Sequence, residues 1–313
     1  MLNSRSRLLF AAMSLDIDLE NRAGLSRITC GWKKPHLSLD VVRRYWRDVH
    51  SPGIARRPGL WEYRHLQFDP VASDVFAPVA GITLDCPGQE QLMWTSDVRY
   101  LDQAALDLFG TVPNPQVKAL LLGDIDLIVD KSTTYLAIGD NASTLVDHTG
   151  TAAPQGPARW PTYSVFLRQR GEQGSFRQGV RAMAARWAGA AGVQRVRLAL
   201  FEVPNMEAEL KAGYPIKTHP AEMQYQAWID LSVDNAAAAS SLLHGDDAAF
   251  IHTLHAYPVP VVYTSICRGK PTLVGLRGWP AFDAIQAMGA DNQRQAALLE
   301  WMYGEVAAGG PAA

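Results

Sequence analysis

Residues 38–68 pass from helical spacing to strand alternation across two Pro-Gly steps. Such a stretch folds as a helix–turn–strand unit, not as one long element. Ser38 stands before Leu39-Asp40-Val41-Val42, a good N-cap with an acid in the first turn. Val42, Tyr45, Trp46 and Val49 recur at helical spacing and form one apolar face, and Arg43, Arg44, Arg47 and Asp48 take the rest. Pro52-Gly53 is expected to stop this helix, and Pro58-Gly59 to lead into a strand over residues 60–68.

The rest of the chain shows the same order of elements twice. In the first half, residues 26–32, 60–68, 90–95 and 133–138 have strand character, and residues 39–50, 101–109 and 115–122 helical character. A segment dense in proline and glycine follows at 149–161. Beyond it come strands at 162–168, 193–202, 224–233 and 261–267, with helices at 175–188 and 235–244. The expected division is an N-terminal arm at 1–25, a first unit at 26–148, a linker at 149–161, a second unit at 162–270 and a helical extension at 271–313. β-α-β-β-α-β twice is the ferredoxin-like order. Helices cover one face of each such sheet, so the two uncovered apolar faces can bury each other. The fold class expected is α+β: two ferredoxin-like units packed as a dimeric α+β barrel within one chain.

Of the 313 residues, 48% are hydrophobic and 19% charged, which suits a packed core and excludes general disorder. The net charge of −2 lacks the basic footprint of a nucleic-acid binder. Three scattered cysteines, Cys30, Cys86 and Cys267, offer neither a disulfide framework nor zinc spacing, which favours a reducing, cytoplasmic setting. Arg5 and Arg7 before residues 8–13 faintly resemble a signal peptide. The apolar run is short and acids follow, so an arm is the better reading. The longest apolar stretch, residues 117–129, is interrupted by Asp124 and Asp126 and falls short of a membrane span. No GxGxxG after a strand, GxxxxGK[ST], HExxH or GxSxG occurs.

Trp32-Lys33-Lys34-Pro35, Tyr45-Trp46-Arg47-Asp48-Val49-His50, Pro58-Gly59-Leu60, and Tyr63 with His65 resemble the EthD-like family of dimeric α/β barrel proteins. The resemblance covers residues 29–68, and the second half shares only the element order; there Arg186-Trp187 is reversed and no His follows. It implies the barrel fold, whose members include cofactor-free monooxygenases, decarboxylases, lactone isomerases and haem proteins.

Alternation along residues 60–68 sets Trp61, Tyr63, His65 and Gln67 on one face and Glu62, Arg64, Leu66 and Phe68 on the other. The first face, aromatic and polar together, suits the wall of a barrel cavity for a flat organic molecule. His50, Tyr63 and His65 form the candidate acid–base group, imidazole taking a proton and phenol supporting an oxyanion. Trp46, Trp61, Gln67, His219 and Tyr225 are the candidate substrate contacts. His252 and His255, three apart, would share a face on a helix, but no further metal ligand is signalled. The expected activity is a lyase, decarboxylase or isomerase step on an aromatic substrate without nucleotide, metal or other cofactor. The alternatives are a cofactor-free or haem-dependent monooxygenase and, in another class, a non-catalytic binder of hydrophobic ligands. The expected partner is a small-molecule substrate, not nucleic acid or membrane, and a homodimer is compatible with this fold.

Overall fold

Two antiparallel sheets face each other in the computed structural model, which describes residues 17–111, 115–203 and 220–304. The first 16 residues of the arm, the loop with His219 and the last residues of the tail lie outside the described residues. The strands are β1 Leu25–Lys33, β2 Glu62–Gln67, β3 Trp94–Tyr100, β4 Val129–Ile138, β5 Ala142–Asp147, β6 Gln155–Pro157, β7 Thr162–Gln169, β8 Val193–Leu200, β9 Ala227–Val233, β10 Ile251–Pro258, β11 Val261–Cys267 and β12 Lys270–Pro271. The first sheet runs β12-β11-β2-β3-β1-β4, with β6 also on β11; the second runs β10-β7-β9-β8-β5.

Within these, β4-β1-β3-β2 and β10-β7-β9-β8 have the same ferredoxin-like order. The chain is therefore an α+β protein of two ferredoxin-like units, packed as a dimeric α+β barrel in one polypeptide. The strand after each unit crosses to the other sheet: β5 pairs with β8, and β11 pairs with β2. This corrects the expectation that residues 261–267 close the second unit. Its fourth strand is β10, so His252 and His255 lie on a strand and not on a helix. The exchange covers an edge of each sheet that would otherwise present unpaired backbone groups.

Local chemistry explains other differences. Ser38 caps the helix as expected, accepting from the Val41 N–H. Pro52-Gly53 does not end it. Leu39–Tyr45 runs into a π turn at Trp46–His50 and then Ser51–Ile54. Proline removes one N–H and crowds the carbonyl four residues back; the wider turn, closed by the Ser51 N–H on the Trp46 carbonyl, absorbs both. The third strand runs over residues 94–100, not 90–95, because Asp97 and Arg99 hide its pattern. Both are buried, as a strand facing buried counter-charges permits.

The space between the sheets has two characters. One part is apolar and aromatic, with Phe68, Tyr135, Phe166, Trp228 and Tyr257 meeting from both sheets. The other is an ion-pair network. Arg99 pairs with Asp97 at 2.6 Å, Glu20 at 2.6 Å and Glu62 at 3.2 Å. Arg195 pairs with Glu20 at 2.5 Å, Asp230 at 2.9 Å and Asp147. Arg197 reaches across to Asp97 at 3.1 Å, and Arg64 to Glu62 at 3.2 Å. Against the outer face of the second sheet packs the helix Gln173–Ala188, through Phe176, Val180, Met183, Ala184 and Trp187. The expected alternation of that helix holds. The outer face of the first sheet carries the helix that runs from Leu39 through the π turn to Ile54 and the short helices Gln103–Gly110 and Ile125–Ile128. Among the described residues no helix is long and apolar enough to cross a membrane.

Removing one partner of a buried network strands its counter-charge. Asp97→Ala is expected to cost about 3–5 kcal/mol, read from urea unfolding. Asp40→Ala, which breaks only the exposed pair with Arg44, should cost at most about 0.5 kcal/mol.

Candidate active site

Tyr63, His65 and Gln67 alternate to one face of β2 as expected, but that face turns to the helices and not to the space between the sheets. Glu62 and Arg64 face inward to the ion network. The cavity that receives Tyr63 lies between the first sheet and its helical layer and has a volume of about 80 Å³. His50, Trp46 and Ile54 come from the helix, Tyr63 from β2, Ser96 and Tyr100 from β3, and Arg27 and Thr29 from β1. Arg57, Phe109, Ile125 and Val129 also line it.

His50 is buried, and its Nδ1 meets both oxygens of Asp124 at 3.2 and 3.0 Å. A carboxylate accepting from Nδ1–H leaves Nε2 as the basic nitrogen. The Trp46 ring lies 4.0 Å from the imidazole centroid to centroid, which fixes the ring plane. Trp46 and His50, four positions apart, lie on the same side of the helix. Tyr63 is fully buried and donates to Ser51 Oγ at 2.9 Å. Burial pushes its phenol pKa up, so the group stays protonated and remains a donor.

His65 is not brought into this cavity. Its ring sits behind Trp46, 6.1 Å away, with Tyr263 on its other side at 6.4 Å. Its Nδ1 is buried without a partner, and Gln67 Nε2 lies 3.4 Å from its Nε2. Burial, with the nearby charges of His50, Arg43 and Arg47, depresses its pKa to about 3. Gln67 is used locally, donating to the Arg43 carbonyl at 3.2 Å. Trp61 lies outside the cavity, under the Arg22 guanidinium at 5.3 Å. Tyr225 belongs to the aromatic core between the sheets, its hydroxyl 2.7 Å from His255 Nδ1. His219 lies outside the described residues.

Two residues of the site escape the sequence reading: Asp124, which touches His50 from outside the cavity lining, and Arg57, which lines it. Asp124 sits in an apolar stretch, and an acid interrupting such a stretch is the only signal it gives. Arg57 is half of a basic pair, Arg56-Arg57, that reads as solvated surface but is buried.

A second opening of about 260 Å³ lies between the sheets beneath the linker, bordered by Arg64, Arg195 and Asp230. It is the larger of the two; Arg64, Arg195 and Asp230 are held by the network described above, and the exposed Arg159, over the Trp160 ring at 5.4 Å, is a fourth charge on its border. No imidazole of the described residues borders it.

No protein-family model and no curated protein sequence matches this chain. Solved structures similar to it include an anthrone oxidase-like protein, at 9% identity and a TM-score of 0.45, covering 79% of this chain and 94% of that one. A candidate monooxygenase from Lactobacillus acidophilus shares 7% identity at a TM-score of 0.43, over 78% of this chain and 97% of that one. A DypB variant from Rhodococcus jostii, solved with heme, shares 10% identity at a TM-score of 0.39, over 76% and 94%.

A haem iron needs a free imidazole nitrogen facing a cleft wide enough for the macrocycle. His50 opens onto only about 80 Å³, and His65 is enclosed by rings. His255 engages Tyr225 through Nδ1 and the Asp85 carbonyl through Nε2 at 3.1 Å. The buried histidines do not fit a haem. Among the described residues no group of three or more His, Cys, Asp or Glu is placed to hold a metal ion.

The two depressed histidines set a pH dependence. Burial and Arg168 hold His255 at about 4, and His65 is held at about 3. Unfolded imidazoles take a proton near about 6.5. The unfolded chain therefore binds more protons below that pH, and stability is complete above it and falls as pH drops. His65→Gln is expected to flatten the fall between about pH 6 and pH 5 by up to about 1.4 kcal/mol per pH unit. Urea unfolding at both pH values checks this, and parallel slopes for the two proteins contradict it.

Proposed function

We propose that this chain is a small-molecule oxidative enzyme of the cofactor-free monooxygenase kind, acting on a flat, electron-rich aromatic. The observation that carries the reading is the His50–Asp124 pair, whose imidazole lines a cavity that it shares with the buried phenol of Tyr63. The EthD-like resemblance of residues 29–68 supports it, since those residues supply Trp46, His50 and Tyr63.

His50 Nε2 removes a proton from an acidic C–H or phenolic O–H, and Asp124 stabilises the imidazolium. Tyr63 turns its hydroxyl from Ser51 to the oxygen on which charge develops. The substrate anion then transfers electrons to dioxygen, one C–O bond forms, and the imidazolium returns the proton to give a hydroperoxide. Loss of water leaves a carbonyl, so a CH₂ group and O₂ become C=O and H₂O. The apolar walls, Ile54, Val98, Ile125 and Val129, exclude bulk water from the anion.

A lyase or isomerase would use the same first step without oxygen, and a binding protein would use none of it. Oxygen uptake with a panel of electron-rich phenols and 1,3-diketones separates the three. Uptake matched to product is expected. Product formed equally fast under argon indicates the lyase or isomerase, and saturable binding without turnover indicates the binding protein. His50→Gln and Tyr63→Phe should each lower turnover by about 10²-fold or more. His65→Gln should change it by less than about threefold, since His65 lies outside the cavity.

A further inference from the structure

Arg57 is a buried cation without a counter-charge. It is 9% exposed, and it lines the same cavity as His50. No carboxylate lies within ion-pair distance of it among the described residues. Arg64, Arg99, Arg195 and Arg197 differ, each meeting at least one carboxylate. Arg57 lies over the Phe109 ring at 3.6 Å, and its Nη2 donates to the Phe109 carbonyl. That carbonyl belongs to the end of the helix Gln103–Gly110, where the helix dipole supplies only a fraction of a charge. Nε is buried with no partner. A guanidinium has five N–H donors in a planar fork, and most of this one is unused.

A buried charge is stable only when paired and hydrogen-bonded. The described residues leave that pairing to whatever enters the cavity. A planar guanidinium selects a carboxylate, which accepts two parallel hydrogen bonds from it. We infer that the cavity binds aromatic carboxylates and that Arg57 anchors the carboxylate. On the reading of His50 as the base, the substrate class becomes a small aromatic acid carrying an ionisable hydroxyl or acidic C–H.

The test measures binding, so it stands apart from turnover. Benzoate and benzamide have the same ring and nearly the same shape and differ in charge. Titration calorimetry on the full chain is expected to show benzoate binding at least tenfold tighter than benzamide. Arg57→Gln should remove that preference, weakening benzoate at least tenfold and leaving benzamide within about threefold. Arg57→Lys, which keeps the charge and loses the fork, should restore part of the preference. Circular dichroism identifies a variant that fails to fold, in which case the wild-type comparison decides. Equal affinities for the two probes, or no benzoate binding by the wild type, overturn the inference. So does unchanged benzoate affinity in a folded Arg57→Gln protein. If His50→Gln retains turnover while the benzoate preference holds, the base assignment fails and the anchor stands.

Discussion

Glu20 holds the two sheets to one another. It stands in the short helix Ile17–Glu20, outside both sheets, yet accepts from Arg99 on the first and Arg195 on the second. Arg197 adds a direct link, from the second sheet to Asp97 on the first. Burial would raise the pKa of Glu20, but Arg195, Arg99 and Arg64 outweigh it and hold the carboxylate well below its usual range. An ionic network of this kind is costly to desolvate and adds little net stability over an apolar core. What it adds is geometry. Forked guanidiniums accept few arrangements, so the sheets have one relative setting. The exchanged strands β5 and β11 depend on that setting, because each must reach the opposite sheet directly after leaving its own.

The same network explains where chemistry is placed. A space filled by bulky rings at one part and by matched charges at another leaves little room for a substrate to be activated. In the opening that remains there, Arg64, Arg195 and Asp230 are already engaged with other charges. The helix side of the first sheet has the converse character. It carries an imidazole with one nitrogen directed by a carboxylate, a phenol that burial keeps protonated, and the Arg57 guanidinium, which meets no carboxylate among the described residues. The pseudo-twofold repeat of the fold therefore does not extend to this site. In the second unit the corresponding space is occupied by Phe176, Val180, Met183 and Trp187, all fully buried.

Much of the architecture is legible in the sequence because helical and strand periodicities are local. The Ser38 cap, the apolar face of Val42 and Trp46, and the face of the helix from Phe176 to Trp187 follow from spacing alone. Less is legible where a strand faces buried charge. Asp97 and Arg99 read as surface until the partners from the other sheet are known. Ala142–Asp147 and Ile251–Pro258 go unassigned because crossing to the other sheet leaves no local mark. The candidate site divides in the same way. Alternation correctly groups Tyr63 with His65, but which face of the sheet meets the helices is a tertiary fact. His50 and Tyr63 share a cavity, and Trp46 stands between that cavity and His65. Asp124, the partner of His50, lies 74 positions away, and nothing local connects them.

The proposed binding and deprotonation of small aromatic molecules take place between the helical layer and the first sheet, not between the two sheets. Crystals soaked with phenol and examined by diffraction test this most directly. Density for a ring is expected beside Trp46, with its oxygen within hydrogen-bond reach of His50 Nε2 or Tyr63 Oη. Density confined to the opening beneath residues 149–160, with the His50 cavity empty, would contradict it.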